Sequence, residues 1–271
     1  LGLEATVSED RCADLSRVTF MGRNMGYFSP CGYVGPAYYD GEGSGFLKSF
    51  TAGFLTTCGL TAVGSPCSDD GETLPLHGTI GNTPSEHVWW HKEKDNLTVE
   101  AEIRDCRIFA RKLVLHRKYV FSLTDQSITL EDRVENCGDA ASPLMILYHM
   151  NMGYPLLSEH AVVGIPSRRV IPRNDRAAEG LSTHLQMLPP QACFEEQCYY
   201  HEFEKNGNAS IYNPDIRLGL SISFDAQELN CFCQWKMMGR HDYVLGLEPG
   251  NCTPDGRDVL RSQGKLQFLQ P

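Results

Sequence analysis

Three short stretches hold polar side chains inside otherwise apolar text, and each is suited to proton chemistry. The densest is Gly246-Leu247-Glu248-Pro249-Gly250-Asn251, which closes the apolar run Tyr243-Val244-Leu245. A carboxylate in that setting is costly to desolvate unless it is partnered or working, and burial raises its pKa towards that of a useful general base. In the second stretch, Leu144 to Tyr148 leads into His149-Met150-Asn151 and then Gly153-Tyr154-Pro155. A histidine at a strand end, with an ordinary pKa of about 6.5, can hold or release a proton near neutral pH. The third is Leu74-Pro75-Leu76-His77-Gly78, followed by Asn82-Thr83-Pro84, where the glycine lets a backbone or ligand approach closely. Upstream of Glu248, Gln234-Trp235-Lys236 adds an aromatic wall for the apolar face of a sugar ring and a cation.

Each stretch also admits a structural reading. His77 fits a histidine satisfied in a turn, His149 a core histidine bonded to a backbone carbonyl, and Glu248 a loop carboxylate that caps the Asn251 or Gly250 amides. Metal chemistry has little support. His87 and His91 have a metal-compatible spacing but no carboxylate or cysteine at a telling interval, and neither Cys231-Phe-Cys233 nor Cys193 with Cys198 makes a zinc motif. No His-x-His pair occurs, which weighs against a metal-dependent sugar isomerase of the cupin kind. Arg168, Arg169 and Arg173 hint at phosphate recognition, although such a group also suits a solvated loop.

Composition narrows the partners. A net charge of −10 and a pI near 5.4 argue against nucleic acid, and no apolar run reaches the length of a membrane span. Eleven scattered cysteines, an odd number, read as free thiols rather than a disulfide framework. The opening Leu1-Gly2-Leu3-Glu4-Ala5 lacks the basic and apolar regions of a secretion signal, so the expected location is the cytoplasm.

Strands must position these groups. Leu97, Val99, Ala101 and Ile103 alternate with polar residues at period two, as do Ile128, Leu130 and Val134, with Asp132 standing where an inward apolar residue belongs. Lys112 to Leu115, Lys118 to Leu123, Leu144 to Tyr148, Arg217 to Phe224 and Tyr243 to Leu247 read as further strands. Asp14 to Arg17 and Asp225 to Glu228 read as starts of short helical turns. The Gly- and Pro-rich text before residue 90 suggests long ordered loops. Hydrophobic residues make up 41% and charged ones 21%, ordinary for a globular chain. The expectation is an all-β antiparallel sandwich in which residues 1–271 form one domain.

Together these motifs resemble the galactose mutarotase superfamily, large twisted β-sandwiches that open and reclose the hemiacetal ring of aldoses. Leu76-His77-Gly78, Tyr148-His149-Met150-Asn151 and Gly246-Leu247-Glu248-Pro249 match its landmarks in order. Leu55 to Leu60, Asn82-Thr83-Pro84, Gly153 to Leu157, Gln234 to Gly239 and Gly246 to Asn251 are similar to a bacterial aldose 1-epimerase-like branch, DUF4432. The resemblance implies a galactose mutarotase-like supersandwich with long loops and few short helices. It further implies an isomerase acting on a small sugar without metal or other cofactor. Glu248 would remove the anomeric hydroxyl proton while protonated His149 serves the ring oxygen; His77, Asn82, Asn151, Trp235, Lys236 and Asn251 would bind substrate. An arginine that mutarotases carry upstream of the Leu-His-Gly histidine has no counterpart between Thr57 and His77, and Arg23 or Lys236 could compensate. Glu196, Tyr200 and His201 lie where the family has a substrate-binding aspartate. The alternative is a non-catalytic carbohydrate-binding or sensing protein on the same fold.

Overall fold

A computed structural model describes residues 2–271. Its central element is a six-stranded antiparallel sheet in the spatial order Arg169–Pro172, Gln197–Glu202, Cys231–Met238, Tyr243–Gly250, Met145–Met152 and Leu55–Leu60. A four-stranded meander, Ile128–Asn136, Lys112–Ser122, Asn96–Cys106 and His87–Lys92, packs against one of its faces. The shared core joins Ala101, Ile103, Leu113, Leu115 and Tyr119 of the meander to Ile146, Tyr148, Phe232, Leu245 and Leu247 of the large sheet. Two three-stranded sheets, Leu3–Ser8 with Asp14–Phe20 and Arg23–Asn24, and Val162–Gly164 with Asn206–Asn213 and Leu218–Asp225, extend the strand-rich framework.

The period-two segments become strands, and the two apolar runs between Lys112 and Leu123 join into the single strand Lys112–Ser122. One expectation fails and one holds. Asp14 to Arg17 is extended, forming the start of strand Asp14–Phe20, whereas Asp225, the last residue of its strand, opens a single helical turn closed by the Leu229 amide on the Asp225 carbonyl at 2.9 Å. The α-helices are instead the short Asp175–Glu179 and Arg257–Ser262. Asn174 caps the first by accepting a hydrogen bond from the Ala177 amide, the ordinary N-cap device. The region before residue 90 also holds more structure than loops, because Leu55–Leu60 is a fully buried strand at the edge of the large sheet.

Asp132, the break in the alternation, does point inward. Its carboxylate takes two hydrogen bonds from the buried Arg117, at 3.0 and 2.7 Å, and one from the Tyr148 hydroxyl at 3.0 Å. Arg117 also reaches Asp14 Oδ1 at 2.5 Å, the Cys12 carbonyl at 2.9 Å and the Thr57 hydroxyl at 2.8 Å, while Asp14 accepts from the Thr57 amide at 2.7 Å. One guanidinium thus ties the N-terminal strand and the meander to two neighbouring strands of the large sheet. Removing one partner from such a cluster leaves an uncompensated buried charge, which costs about 3–5 kcal/mol. Arg117→Met is therefore expected to lower unfolding free energy by that amount in urea titrations followed by circular dichroism. A loss within about 0.5 kcal/mol, typical of surface changes, would show that the clamp does not support the fold.

Candidate functional site

The face of the large sheet turned away from the meander carries the polar residues. Residues directly opposite on neighbouring strands share a face, so the register defines rows across the sheet. Thr56 pairs with His149, Cys233 with Glu248, and Tyr200 with Cys233. The pairs Leu147 with Gly250 and Met150 with Leu247 set His149 opposite Glu248. A parallel row runs through Asn151, Gly246, Trp235 and Cys198. His149 Nε2 lies 3.3 Å from Glu248 Oε1, and both side chains are buried.

Gly246 is required by this arrangement. A Cβ there would collide with Glu248 Oε1, so the missing side chain is the space the carboxylate occupies. His77 enters from a turn outside the sheet and is held in the left-handed region at φ 59°. Its amide donates to the Gly64 carbonyl at 2.9 Å and its carbonyl accepts from the Gly59 amide at 3.1 Å. A left-handed backbone costs a residue with a side chain about 1–2 kcal/mol, which these bonds and the buried surroundings must offset. Gly78, also left-handed, packs so closely on the Gly59 and Ala62 carbonyls that no side chain fits. The His77 and His149 rings are 5.7 Å apart, and Trp235 and Phe50 close around His149 at 5.3 and 5.2 Å. Trp235 is fixed by a 2.6 Å hydrogen bond from its indole to Glu196.

Burial decides the protonation of this pair. The distance alone would suit an ion pair, but desolvation disfavours both charges. Burial pushes Glu248 well above the usual carboxylate range, with the Cys198 thiol adding to the effect. Burial and the neighbouring His77 draw His149 down to about 3, and burial with Arg173 brings His77 to about 4. Both shifts favour the uncharged form of each group. Glu248 Oε1, His149 Nδ1 and His77 Nδ1 are buried without a hydrogen-bond partner, a pattern that suits groups awaiting a polar ligand.

Not every residue expected to bind substrate comes to this face. Trp235 and Asn151 do, the latter 0% exposed, donating to the His149 carbonyl at 2.8 Å and leaving its own Oδ1 unpaired. Lys236 alternates with Trp235 and points to the opposite side, where it donates to the Thr183 carbonyl and burial lowers its pKa to about 8. Asn251 is structural: it accepts from the Ile146 amide at 2.8 Å and donates to the Leu144 carbonyl at 3.0 Å, stapling the strand that carries His149. Asn82 is buried in the short turn Ile80–Asn82 with both amide atoms unpaired, and makes no hydrogen bond to the pair. Arg23 is exposed in the N-terminal three-stranded sheet. His201 turns to the core side, between Ser167 at 2.9 Å and Gln234 at 3.1 Å.

The residue that sequence reasoning passed over is Arg173. It follows Pro172 at the end of the outermost strand, its amide bonded to the Cys198 carbonyl, so it continues the row of Asn151, Gly246, Trp235 and Cys198. Its guanidinium makes only long contacts, 3.3 Å to the Ser65 hydroxyl and the Pro254 carbonyl and 3.6 Å to Asp255. Tyr200 donates to the same Asp255 at 2.6 Å. The only hint in the sequence was the basic group 168–173, which carries no sign of which arginine faces inward.

A large strand-built sandwich defines the structural class, and solved structures share it. The chain aligns over its full length with 73% of a Klebsiella pneumoniae protein named as a candidate aldose 1-epimerase, at 28% identity and a TM-score of 0.93. It also matches a galactose mutarotase-like protein from Clostridium acetobutylicum, at 12% identity and a TM-score of 0.63, covering 100% of this chain and 89% of that one. The Slr1438 protein of Synechocystis gives 17% identity and a TM-score of 0.72, over 100% and 88% of the two chains. The fold is galactose mutarotase-like. Within that class the family model of DUF4432, a domain of unknown function, matches residues 1–271, and the chain belongs to this family. No curated protein matches the sequence. Among the described residues no helix is long and apolar enough to cross a membrane.

The neutral pair has a consequence for stability. From about pH 6.5 down to about 4 the unfolded chain gains protons on His77 and His149 that the native state refuses, so these groups lower stability as pH falls. Glu248 acts in the opposite sense: its raised native pKa lowers stability as pH rises above the unfolded value of about 4.3. Glu248→Gln removes the opposing contribution. Urea unfolding between pH 4.5 and 6.5, a window set by those pKa values at about that width, should show stability rising with pH more steeply in the variant than in wild type. Equal slopes would mean that Glu248 titrates as an ordinary carboxylate.

Proposed function

We propose that this chain is an aldose 1-epimerase-like isomerase that interconverts sugar anomers by acid–base ring opening. The observation that carries this reading is the His149–Glu248 pair: an imidazole and a carboxyl group 3.3 Å apart, on a face bounded by His77 and Trp235. Ring opening requires one proton removed from the anomeric hydroxyl and one delivered to the ring oxygen. In the resting state His149 Nε2 is the free base and Glu248 the acid, and one proton transfer between them exchanges the roles. Rotation about the bond to the aldehyde carbon and reclosure with the roles reversed give the other anomer. Each positioned group supplies about 10²–10⁴ in rate, and the steps need no oxidation, reduction or covalent adduct.

Arg173 completes the site. Its strand lies three positions across the sheet from that of Glu248, about 14 Å at ordinary strand spacing, a gap that an aldopyranose and an arginine side chain together bridge. Arg173 offers donors and Asp255 acceptors for neighbouring hydroxyls at the far end of the ring. This combination suits a neutral sugar better than an anionic one. Trp235, backed by Phe46 and Phe50, supplies the apolar platform. These aromatics also cover the pair, so the segment holding Phe46 and Phe50 must shift for a sugar to enter. Eleven free cysteines fit a reducing compartment such as the cytoplasm.

The test is anomer exchange, followed by NMR or polarimetry, over a panel of freshly dissolved aldoses and uronic acids. Wild type should accelerate exchange of at least one neutral aldose, and Glu248→Gln should lose about 10²-fold or more. Arg173→Ala should raise KM with a smaller effect on kcat. No acceleration for any sugar, with binding still visible as line broadening, would replace the isomerase by a carbohydrate-binding protein.

A further inference from the structure

A cavity of about 270 Å³ lies beneath the turn that carries His77, away from the His149–Glu248 face. Leu74 and Pro75 line it on one side of His77 in the chain, and Gly78 and Thr79 on the other. Its charged wall is Glu72 with Arg107 and Arg111. Glu72 Oε1 is 3.3 Å from Arg111 Nη1 and 3.7 Å from Arg107 Nη1, while Oε2 accepts from Arg257 Nη2 at 3.0 Å. One carboxylate is shared by three guanidiniums. It has about four lone-pair sites, whereas each guanidinium carries five N–H donors.

The three cations differ in what else they hold. Arg257 is buried and committed to Asp69, with its Nε donating to the carboxylate at 2.7 Å and its Nη2 to the carbonyl at 3.0 Å. Arg111 gives its Nε to Asp105 at 2.9 Å, leaving part of its fork free. Arg107 has the long contact to Glu72 as its only ion pair among the described residues, and its side chain is 67% exposed. The uncommitted donors therefore belong to the two arginines that line the cavity. Both oxygens of Glu72 already face cations, which mutes its repulsion of an incoming anion. The hydroxyl-bearing Thr73 and Thr79 also line the space.

We propose that this cavity binds a phosphate-type oxyanion, as free phosphate or as the phosphate group of a small monoester, held by Arg107 and Arg111. The planar guanidinium fork matches phosphate oxygens. An occupant would rest against both flanks of the His77 turn.

The test is calorimetric titration of the full chain with inorganic phosphate and, separately, methyl phosphate, at constant ionic strength. Wild type should show saturable binding to one site, and tighter binding of methyl phosphate would identify the monoester as the natural form. Arg107→Gln lies at an exposed hairpin tip and should fold normally while weakening binding about tenfold or more. Arg111→Lys keeps a charge for Asp105 but loses the fork, and should also weaken it. Arg168→Gln removes an exposed cation elsewhere and should leave binding unchanged. Absence of saturable binding in wild type, or equal weakening in Arg168→Gln, would overturn the proposal. The readout does not depend on sugar isomerisation.

Discussion

A single buried guanidinium ties together three parts of this fold: the N-terminal segment, the meander and the large sheet. Arg117 has no exposed side-chain surface and is clamped between Asp14 and Asp132. Its further bonds reach Thr57, and Asp132 reaches Tyr148, residues adjacent in sequence to Thr56 and His149. This network adds to the register that the apolar alternation sets: sliding the meander or the N-terminal strand by one residue would also strand a charge in the core. The face of the large sheet that carries His149 and Glu248 is thus fixed from behind.

That fixed sheet creates a low-dielectric face, and its chemistry follows. A histidine and a glutamate placed opposite one another in water would ionise and attract. Buried here, both are driven towards their neutral forms. The aromatic groups that pack around the pair also set its low-dielectric surroundings, so packing and electrostatics come from the same residues.

Much of this was legible because period-two alternation and the three motif stretches depend on local sequence alone. His77, His149 and Glu248 stood out as polar residues in apolar text. Trp235 and Lys236 illustrate the limit: adjacent residues in a strand face opposite ways, and nothing local says which way the site lies. Asp14 looked like a helix start because an aspartate before an apolar residue is an N-cap signal. Its true partner, Arg117, lies 103 residues away. Arg173 was hidden for the same reason, since its role depends on strand order rather than on neighbours in the chain. Asn251 lay inside the most informative motif yet serves the backbone, showing that a motif preserves scaffolding along with chemistry.

The empty space at Gly246 constrains how such a site can change over time. Because a Cβ at 246 and the carboxylate of Glu248 compete for one volume, the two positions are epistatic. A lineage gaining the glutamate needs the glycine first, since the reverse order passes through a form in which the acid is displaced. Replacing Glu248 by a smaller residue removes that collision but not the second one, since a Cβ at 246 would still lie 3.0 Å from the Trp235 Cβ. The glycine thus answers to two neighbours, and losing the acid alone does not release it.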